Sequence, residues 1–201
     1  MVRIKICGIL DVENALAAAD AGADAIGLVF APSRRRVTGE QAQAIVNALP
    51  PFVTKVGLFV DADLRTIHEV ADVCALDVIQ LHGNESPEFC AGLHRPVIKA
   101  IRVKDASSLT AMDAYRVAAF LLDGFHPEIA GGTGLTFDWN LAAELDGSYR
   151  VILSGGLTPD NVGDAIRTVH PYGVDVSSGV ETDGRKDPVK IREFINRAKG
   201  L

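Results

Sequence analysis

Eight short apolar stretches with strand character recur along the chain, and a helical pattern follows each of them. The predicted strands are Arg3–Cys7, Ala25–Phe30, Lys55–Val60, Asp77–Leu81, Val97–Ile101, Ala118–Asp123, Val151–Ser154 and Gly173–Ser177. The helices are predicted to begin near Asp11, Glu40, Ala62, Ser86, Ala106, Asp138, Pro159 and Pro188. This strict alternation predicts an α/β fold with a parallel sheet, because parallel strands need crossover connections. Eight is the number of units that closes a (β/α)₈ TIM barrel, so we predict one compact barrel domain over residues 1–201, with an open doubly wound sheet as the alternative.

Several predicted helices start with side chains that favour capping of free backbone amides. These signals are the aspartates Asp11 and Asp61, the capping-box pair Thr38 and Gln41, and the pairs Thr158-Pro159 and Asp187-Pro188, in which a proline follows the cap. The helix boundaries at these positions are therefore predicted from local chemistry as well as from apolar periodicity.

Charge and cysteine content exclude some classes of partner. The net charge of −6 offers no broad attraction for nucleic acid or an anionic membrane surface. No segment approaches the roughly 20 continuous apolar residues that cross a bilayer. Cys7, Cys74 and Cys90 form an odd set without CxxC spacing, which is typical of a reducing compartment, so we expect a cytoplasmic protein. Cys74 and Cys90 fall in helix-like stretches and are expected to be small buried hydrophobic residues.

Glycine-rich segments follow predicted strands seven and eight. In many barrels these two loops bind phosphate, because glycine lets backbone amides approach the anion. Gly155 and Gly156 lie in the first loop, and Ser178 and Gly179 lie in the second. Either segment alone is more often an ordinary turn, but their joint occurrence at the two expected loops predicts a phosphate site.

Two reactive side chains end predicted strands, Cys7 on the first and Asp123 on the sixth. The alternatives are that Cys7 is a buried apolar residue and that Asp123 caps the following turn. Because the carboxyl ends of barrel strands meet at one rim, we expect the thiol and the carboxyl group to share one site.

Other polar residues near strand ends have less specific meaning. Arg34, Arg35 and Arg36 follow predicted strand two, where a guanidinium group can bind a carboxylate through two hydrogen bonds, although basic runs are usually solvated surface. His82 follows predicted strand four, and a structural histidine explains it as well as a catalytic one, so no chemistry is assigned to it. The segment 124–136 contains Gly131–Gly134 and is predicted to cover a bound substrate, with flexibility alone as the alternative.

The chain resembles the phosphoribosylanthranilate isomerase family of tryptophan biosynthesis nearly from end to end. The segments that carry the resemblance occur in family order: KICGI, GADAIGLVFAPSRR, LPPFVTKVGLFV, VIQLHG, LLD, GGTGLTFDW, LSGGLTPDNV and YGVDVSSGVE. Two positions depart from the usual family motifs, Leu135 where lysine is common and Leu10 where threonine is common. Neither departure removes an expected acid or base, but the first removes a cation near an anionic substrate.

The resemblance implies an Amadori rearrangement of N-(5′-phosphoribosyl)anthranilate to 1-(2-carboxyphenylamino)-1-deoxyribulose 5-phosphate, without cofactor or metal. It implies that Cys7 is the general base, that Asp123 is the general acid, and that Arg36 binds the anthranilate carboxylate. The alternatives are a related ribotide isomerase of the histidine pathway and a barrel that binds a phosphorylated metabolite without catalysis. The partner expected in each case is a small molecule, and the sequence does not determine the oligomeric state.

Strand alternation places Lys5 on the same face as Cys7, roughly 7 Å away. At an effective dielectric constant of 20, a cation at that distance stabilises a thiolate by about 2.4 kcal/mol before desolvation is subtracted. We therefore predict that Lys5 lowers the pKa of Cys7 enough to make the thiolate a major species. The competing role for Lys5 is an ion pair with a carboxylate inside the barrel such as Asp175.

Overall fold

The computed structural model describes residues 1–124, 136–145 and 147–200 and contains a closed barrel of eight parallel strands in chain order. The strands are β1 (Arg3–Cys7), β2 (Ala25–Val29), β3 (Thr54–Phe59), β4 (Val78–Leu81), β5 (Val97–Val103), β6 (Ala119–Gly124), β7 (Val151–Leu153) and β8 (Gly173–Val176). The α-helices are α1 (Val12–Ala21), α2 (Gly39–Ala48), α3 (Leu64–Val73), α4 (Pro87–Ala91), α5 (Ser107–Thr110), α6 (Asn140–Ala143), α7 (Val162–Val169) and α8 (Pro188–Lys199). Lys5 of β1 pairs with Asp175 of β8, which closes the ring. The predicted barrel is confirmed, and the open-sheet alternative is wrong.

Alternation along β1 shows how the sequence sets the two faces of the barrel wall. Ile4 and Ile6 are fully buried and belong to the large core that also contains Ile191 and Phe194 of α8. The residues between and after them, Lys5 and Cys7, lie on the other face of the strand, which is the barrel interior. One strand therefore supplies apolar packing outside and chemistry inside.

Apolar side chains from four strands fill the amino-terminal half of the barrel interior. This cluster consists of Val56, Ile98, Ala100, Ala119, Leu121 and Ile152. A filled interior is what the barrel geometry requires, since eight strands leave room for side chains but not for a channel. Gln80, Asp123 and Asp175 lie beyond this cluster, toward the carboxyl ends of their strands.

The capping predictions are partly right. Thr38 and Gln41 form a capping box at α2, and Asp187 caps α8 ahead of Pro188. The prediction for Asp61 is wrong, because Asp63 caps α3 while Asp61 accepts a hydrogen bond of 2.6 Å from the amide of Asn84.

The prediction for Thr158-Pro159 is also wrong, because α7 begins at Val162. Asn161 explains the delay: its Oδ1 accepts from the Thr158 amide at 2.8 Å and its Nδ2 donates to the carbonyl of Gly156 at 2.9 Å. These bonds hold the segment after β7 as a turn.

A two-stranded ribbon and a 3₁₀ helix follow β8. The 3₁₀ helix is Ser178–Val180, and the ribbon pairs β9 (Glu181–Thr182) with β10 (Arg185–Lys186).

Positions 125–135 lie outside the described residues, and they include Gly131, Gly132, Gly134 and Leu135. The prediction that this segment covers a bound substrate therefore concerns residues outside the description. Within the described ranges, no helix combines the length and apolar character needed to cross a membrane.

Candidate active site

A cavity of about 680 Å³ opens at the carboxyl-terminal end of the barrel. Cys7 and Asp123 both line it, so the expectation that the thiol and the carboxyl group share one site is confirmed. The predicted phosphate residues Gly155, Gly156, Ser178 and Gly179 line the same cavity. Arg36 is not among its lining residues, although Arg34 and Arg35 are.

Cys7 lies in a tightly packed pocket beside Gly27 of β2. The cysteine is 5% exposed, and a Cβ atom on Gly27 would lie 2.7 Å from Cys7 Sγ and 3.0 Å from Lys5 Nζ. The thiol and the ammonium group therefore meet in one small space that only glycine leaves open. Lys5 Nζ also donates to Asp175 Oδ1 at 2.8 Å, so the competing role predicted for Lys5 is present as well.

Burial raises the pKa of the Cys7 thiol above its ordinary value, although the positive charges of Lys5 and Lys186 oppose that rise. Asp175 adds to the rise, because its negative charge disfavours a second anion nearby. Lys5 thus acts in the predicted direction, because its charge favours the thiolate of Cys7, but burial and Asp175 outweigh it and leave the pKa of the thiol above its ordinary value. The sequence-based estimate counted the charge of Lys5 but neither the desolvation of the sulfur nor the neighbouring carboxylate.

A second lysine, Lys186, approaches the same region from β10. Its side chain is buried, and Nζ donates to the carbonyl of Ser177 at 2.8 Å and to Glu181 Oε1 at 2.9 Å. Ser177 in turn donates through Oγ to the carbonyl of Cys7 at 3.1 Å. Burial lowers the pKa of Lys186, with Glu181 opposing that change.

Asp123 lies near the carboxyl end of β6, faces the cavity and is 3% exposed. Its Oδ1 accepts from the amide of Gly124 at 2.9 Å, and its Oδ2 lies 3.3 Å from His82 Nε2. Gln80 lies beyond the imidazole, with its Nε2 at 3.2 Å from His82 Nδ1. The carboxyl group thus has polar neighbours on one side and the cavity on the other.

The loops after β7 and β8 form a cradle of free backbone amides. Among the described residues, none accepts a hydrogen bond from the amide of Gly155, Gly156, Ser178 or Gly179. Gly155 and Gly156 have φ values of +82° and +64°, in the left-handed region that favours glycine. A Cβ atom on Gly179 would lie 1.9 Å from the carbonyl oxygen of Leu157, so the two loops are in direct backbone contact. Free amides that converge in this way are typical of a phosphate site.

The three arginines after β2 have different surroundings. Arg35 binds Glu181 through two hydrogen bonds, from Nε at 2.7 Å and from Nη2 at 3.0 Å, and Arg34 binds the same carboxylate at 2.8 Å. Arg36 is exposed, and no carboxylate of the described residues pairs with it. Of the three guanidinium groups, that of Arg36 is therefore the one left available for an anionic ligand.

Sequence reasoning missed three groups near Cys7 and Asp123. Gln80 interrupts the apolar run of β4, and a polar residue on the inward face of a buried strand was the signal that could have marked it. His82 was noted without a role. Lys186 carried no signal, because it reaches the site only through the ribbon of β9 and β10.

Comparison with known proteins identifies close relatives along the whole chain. A family model described as N-(5′-phosphoribosyl)anthranilate isomerase matches residues 4–197. N-(5′-phosphoribosyl)anthranilate isomerase of Pelobacter propionicus is 59% identical, and the match covers 99% of this chain and 96% of the relative. The protein of that name from Geobacter sulfurreducens is 57% identical with full coverage of both chains.

Solved structures of phosphoribosyl anthranilate isomerases are also similar to this chain over its whole length. The crystal structure of phosphoribosyl anthranilate isomerase from Thermotoga maritima superposes with a TM-score of 0.94 at 45% identity and covers all of both chains. A structure of phosphoribosyl anthranilate isomerase in complex with reduced 1-(o-carboxyphenylamino)-1-deoxyribulose 5-phosphate superposes with a TM-score of 0.91 at 43% identity, again over both whole chains.

Proposed function

The chain belongs to the N-(5′-phosphoribosyl)anthranilate isomerase family, and from that membership we infer that Cys7 and Asp123 are the general base and general acid of its reaction. The protein is an isomerase of tryptophan biosynthesis that acts on a small phosphorylated molecule. The observation that carries the assignment is that the thiol and the carboxyl group line one cavity together with the amide cradle.

The reaction needs one proton donor and one proton acceptor. Asp123 gives its proton to the ribose ring oxygen, the bond between that oxygen and C1′ breaks, and the nitrogen lone pair forms an iminium with C1′. The thiolate of Cys7 then removes the proton from C2′, which gives an enolamine. Protonation at C1′ and loss of the hydroxyl proton at C2′ produce the ketone, so no atom is gained or lost. The substrate nitrogen accepts the electrons of the C2′–H bond, so two side chains are sufficient.

The substrate is held at both of its anionic ends. We propose that the amides of Gly155, Gly156, Ser178 and Gly179 bind the phosphate, because none of them has an acceptor among the described residues. Arg36 binds the anthranilate carboxylate. Support for this choice is that Arg34 and Arg35 are both engaged by Glu181.

Two neighbouring cations favour ionisation of Cys7, the proposed base. Lys5 and Lys186 both act to lower the pKa of Cys7, while burial raises it. The charges of Lys5 and Lys186 therefore favour the thiolate form of Cys7 that the removal of the C2′ proton requires.

Turnover of freshly prepared N-(5′-phosphoribosyl)anthranilate tests these roles, with substrate loss followed by fluorescence. We expect Cys7→Ala and Asp123→Asn each to lower kcat by about 10² or more, with unchanged circular dichroism. Near-normal turnover in either variant would remove that residue from its role. If both variants still bind substrate but no longer turn it over, the result would support the acid role of Asp123 and the base role of Cys7.

Two broader proposals concern the whole chain. Residues 1–201 act as a single catalytic domain, which is supported by a barrel whose strands run from Arg3 to Val176 and whose α8 packs against β1. We also propose a cytoplasmic location, because Cys7, Cys74 and Cys90 are all free and buried, as suits a reducing compartment. Cell fractionation with an antibody against the protein tests the location.

A further inference from the structure

Gln80, His82 and Asp123 form a line of buried polar groups along one side of the cavity. Gln80 and His82 are two residues apart, so their side chains share the inward face at the end of β4. They are 1% and 5% exposed, and both line the cavity. The imidazole lies between the Gln80 amide, 3.2 Å from Nδ1, and the Asp123 carboxyl group, 3.3 Å from Nε2.

The Gln80 amide determines which ring nitrogen carries the proton. An amide nitrogen can only donate, so His82 Nδ1 accepts its hydrogen bond. A neutral imidazole then carries its proton on Nε2, which faces Asp123 Oδ2. The other carboxylate oxygen, Oδ1, already accepts from the Gly124 amide at 2.9 Å. Each oxygen of Asp123 therefore faces a separate N–H group.

Two atoms in this line lack a hydrogen-bond partner among the described residues, His82 Nε2 and Gln80 Oε1. His82 Nε2 approaches Asp123 closely, but the two groups are not aligned as a hydrogen bond. Unpartnered buried donors are rare, and contacts in an unliganded active site often become well aligned only when substrate binds. The Nε2–H group of His82 is thus available for additional negative charge on Asp123.

The backbone around His82 is fixed by buried contacts. The amide of His82 donates to the carbonyl of Phe59 at 2.9 Å. Lys99 Nζ donates to the carbonyl of Gly83 at 2.8 Å and to Glu85 Oε2 at 3.0 Å, and Glu85 in turn accepts from the Gly83 amide. The imidazole is therefore attached to a rigid segment, as a group that orients another side chain needs to be.

We propose that His82 is a positioning residue for Asp123 and that Gln80 holds it in the Nε2–H tautomer. This inference rests on the acid role proposed for Asp123. When Asp123 transfers its proton to the ribose ring oxygen, its carboxylate becomes negatively charged, and His82 Nε2–H donates to Oδ2. His82 keeps its own proton throughout, so the histidine stabilises the anion without becoming charged.

Kinetic comparison of His82→Met and His82→Gln tests the donor function. Methionine removes the N–H group at similar size, whereas the glutamine amide can place an N–H near the position of Nε2. We expect His82→Met to lower kcat about 10-fold with little change in KM, and His82→Gln to recover most of that loss. His94→Met, at an exposed histidine that does not line the cavity, serves as the matched control. Equal activity of His82→Met and the wild type, or equal loss in both His82 variants, would contradict the proposal.

Nuclear magnetic resonance of ¹⁵N-histidine-labelled protein tests the tautomer without reference to activity. The signal that disappears in His82→Gln identifies His82 among the five histidines of the chain. We expect a protonated Nε2 and an unprotonated Nδ1 in the wild type at neutral pH. A proton on Nδ1 would overturn the role assigned to Gln80.

The Asp123→Asn variant separates this inference from the proposed function. If Asp123→Asn is inactive while His82→Met turns over normally, only the role of His82 is wrong. If Asp123→Asn turns over normally, the acid role itself is wrong, and the inference about His82 fails with it.

Discussion

The surroundings of individual residues decide the chemistry of this site more than their identities do. Cys7 is an ordinary thiol by sequence, but burial raises its pKa while Lys5 and Lys186 act in the opposite direction. Arg34, Arg35 and Arg36 are chemically identical, yet Glu181 binds the first two. Glu181 itself has a lowered pKa, since Arg35 and Lys186 together outweigh its burial.

Lys5→Met is expected to raise the pKa of the Cys7 thiol further, because a cation that favours the thiolate is removed while burial remains. The pH dependence of iodoacetamide alkylation, followed by mass spectrometry of the Cys7 peptide, measures this pKa. The double variant Lys5→Met/Asp175→Asn separates the effect of the lost cation from that of an unpaired buried carboxylate. An unchanged pKa in both variants, judged against Lys55→Met, would contradict any influence of Lys5.

Arg36→Met is expected to raise KM about 10-fold with little change in kcat, because it removes a guanidinium group that binds the substrate carboxylate. Arg34→Met is the matched control, since its side chain is 59% exposed and is already paired with Glu181. Steady-state kinetics of both variants measure the difference. A larger rise in KM for Arg34→Met than for Arg36→Met would show that the substrate carboxylate does not bind Arg36.

At the scale of elements, the loops after β7 and β8 act together. Gly179 lies against the backbone of Leu157, and this contact sets the spacing of the free amides in both loops. Local sequence predicted each loop from its glycines, but the helix after β7 begins later than predicted, because Asn161 binds back to Gly156.

Gly179→Ala is expected to raise KM at least about 10-fold, because its Cβ would overlap the carbonyl oxygen of Leu157 and force the two loops apart. Gly39→Ala is the control, since a Cβ atom there meets nothing within 4 Å. Inhibition by inorganic phosphate should weaken in parallel with the rise in KM. Normal inhibition by phosphate in Gly179→Ala would contradict the assignment of the phosphate site.

At the scale of the whole molecule, carboxylates at helix starts or just before them make folding sensitive to acid. Asp63 and Glu88 have lowered pKa values because of hydrogen bonds from helix amides and neighbouring hydroxyls. The pKa values of Asp105 and Asp187 are lowered chiefly by hydrogen bonds from Ser107 and Thr182. These groups are ionised in the folded state at pH values where the unfolded chain binds protons.

The free energy of unfolding should therefore be constant above the unfolded carboxyl range, about pH 4, and should fall as the pH drops through the lower folded-state pKa values. Urea unfolding at a series of pH values from 7 to 3 measures this dependence. Asp63→Asn should reduce its slope, because one linked proton is removed. A slope unchanged by Asp63→Asn would show that this cap does not contribute to the acid sensitivity.

The sequence by itself determined the number and order of the barrel units, both strand-end residues Cys7 and Asp123, and the two glycine-rich loops. Those features depend on local periodicity and on strand ends, which a linear chain displays directly. Only the tertiary structure decided that Lys5 pairs with Asp175 and that Glu181 forms ion pairs with Arg34 and Arg35. It also decided that Gln80 and His82 lie beside Asp123. These contacts arise from barrel closure between residues far apart in the chain, and burial then sets their charge states, which no local pattern encodes.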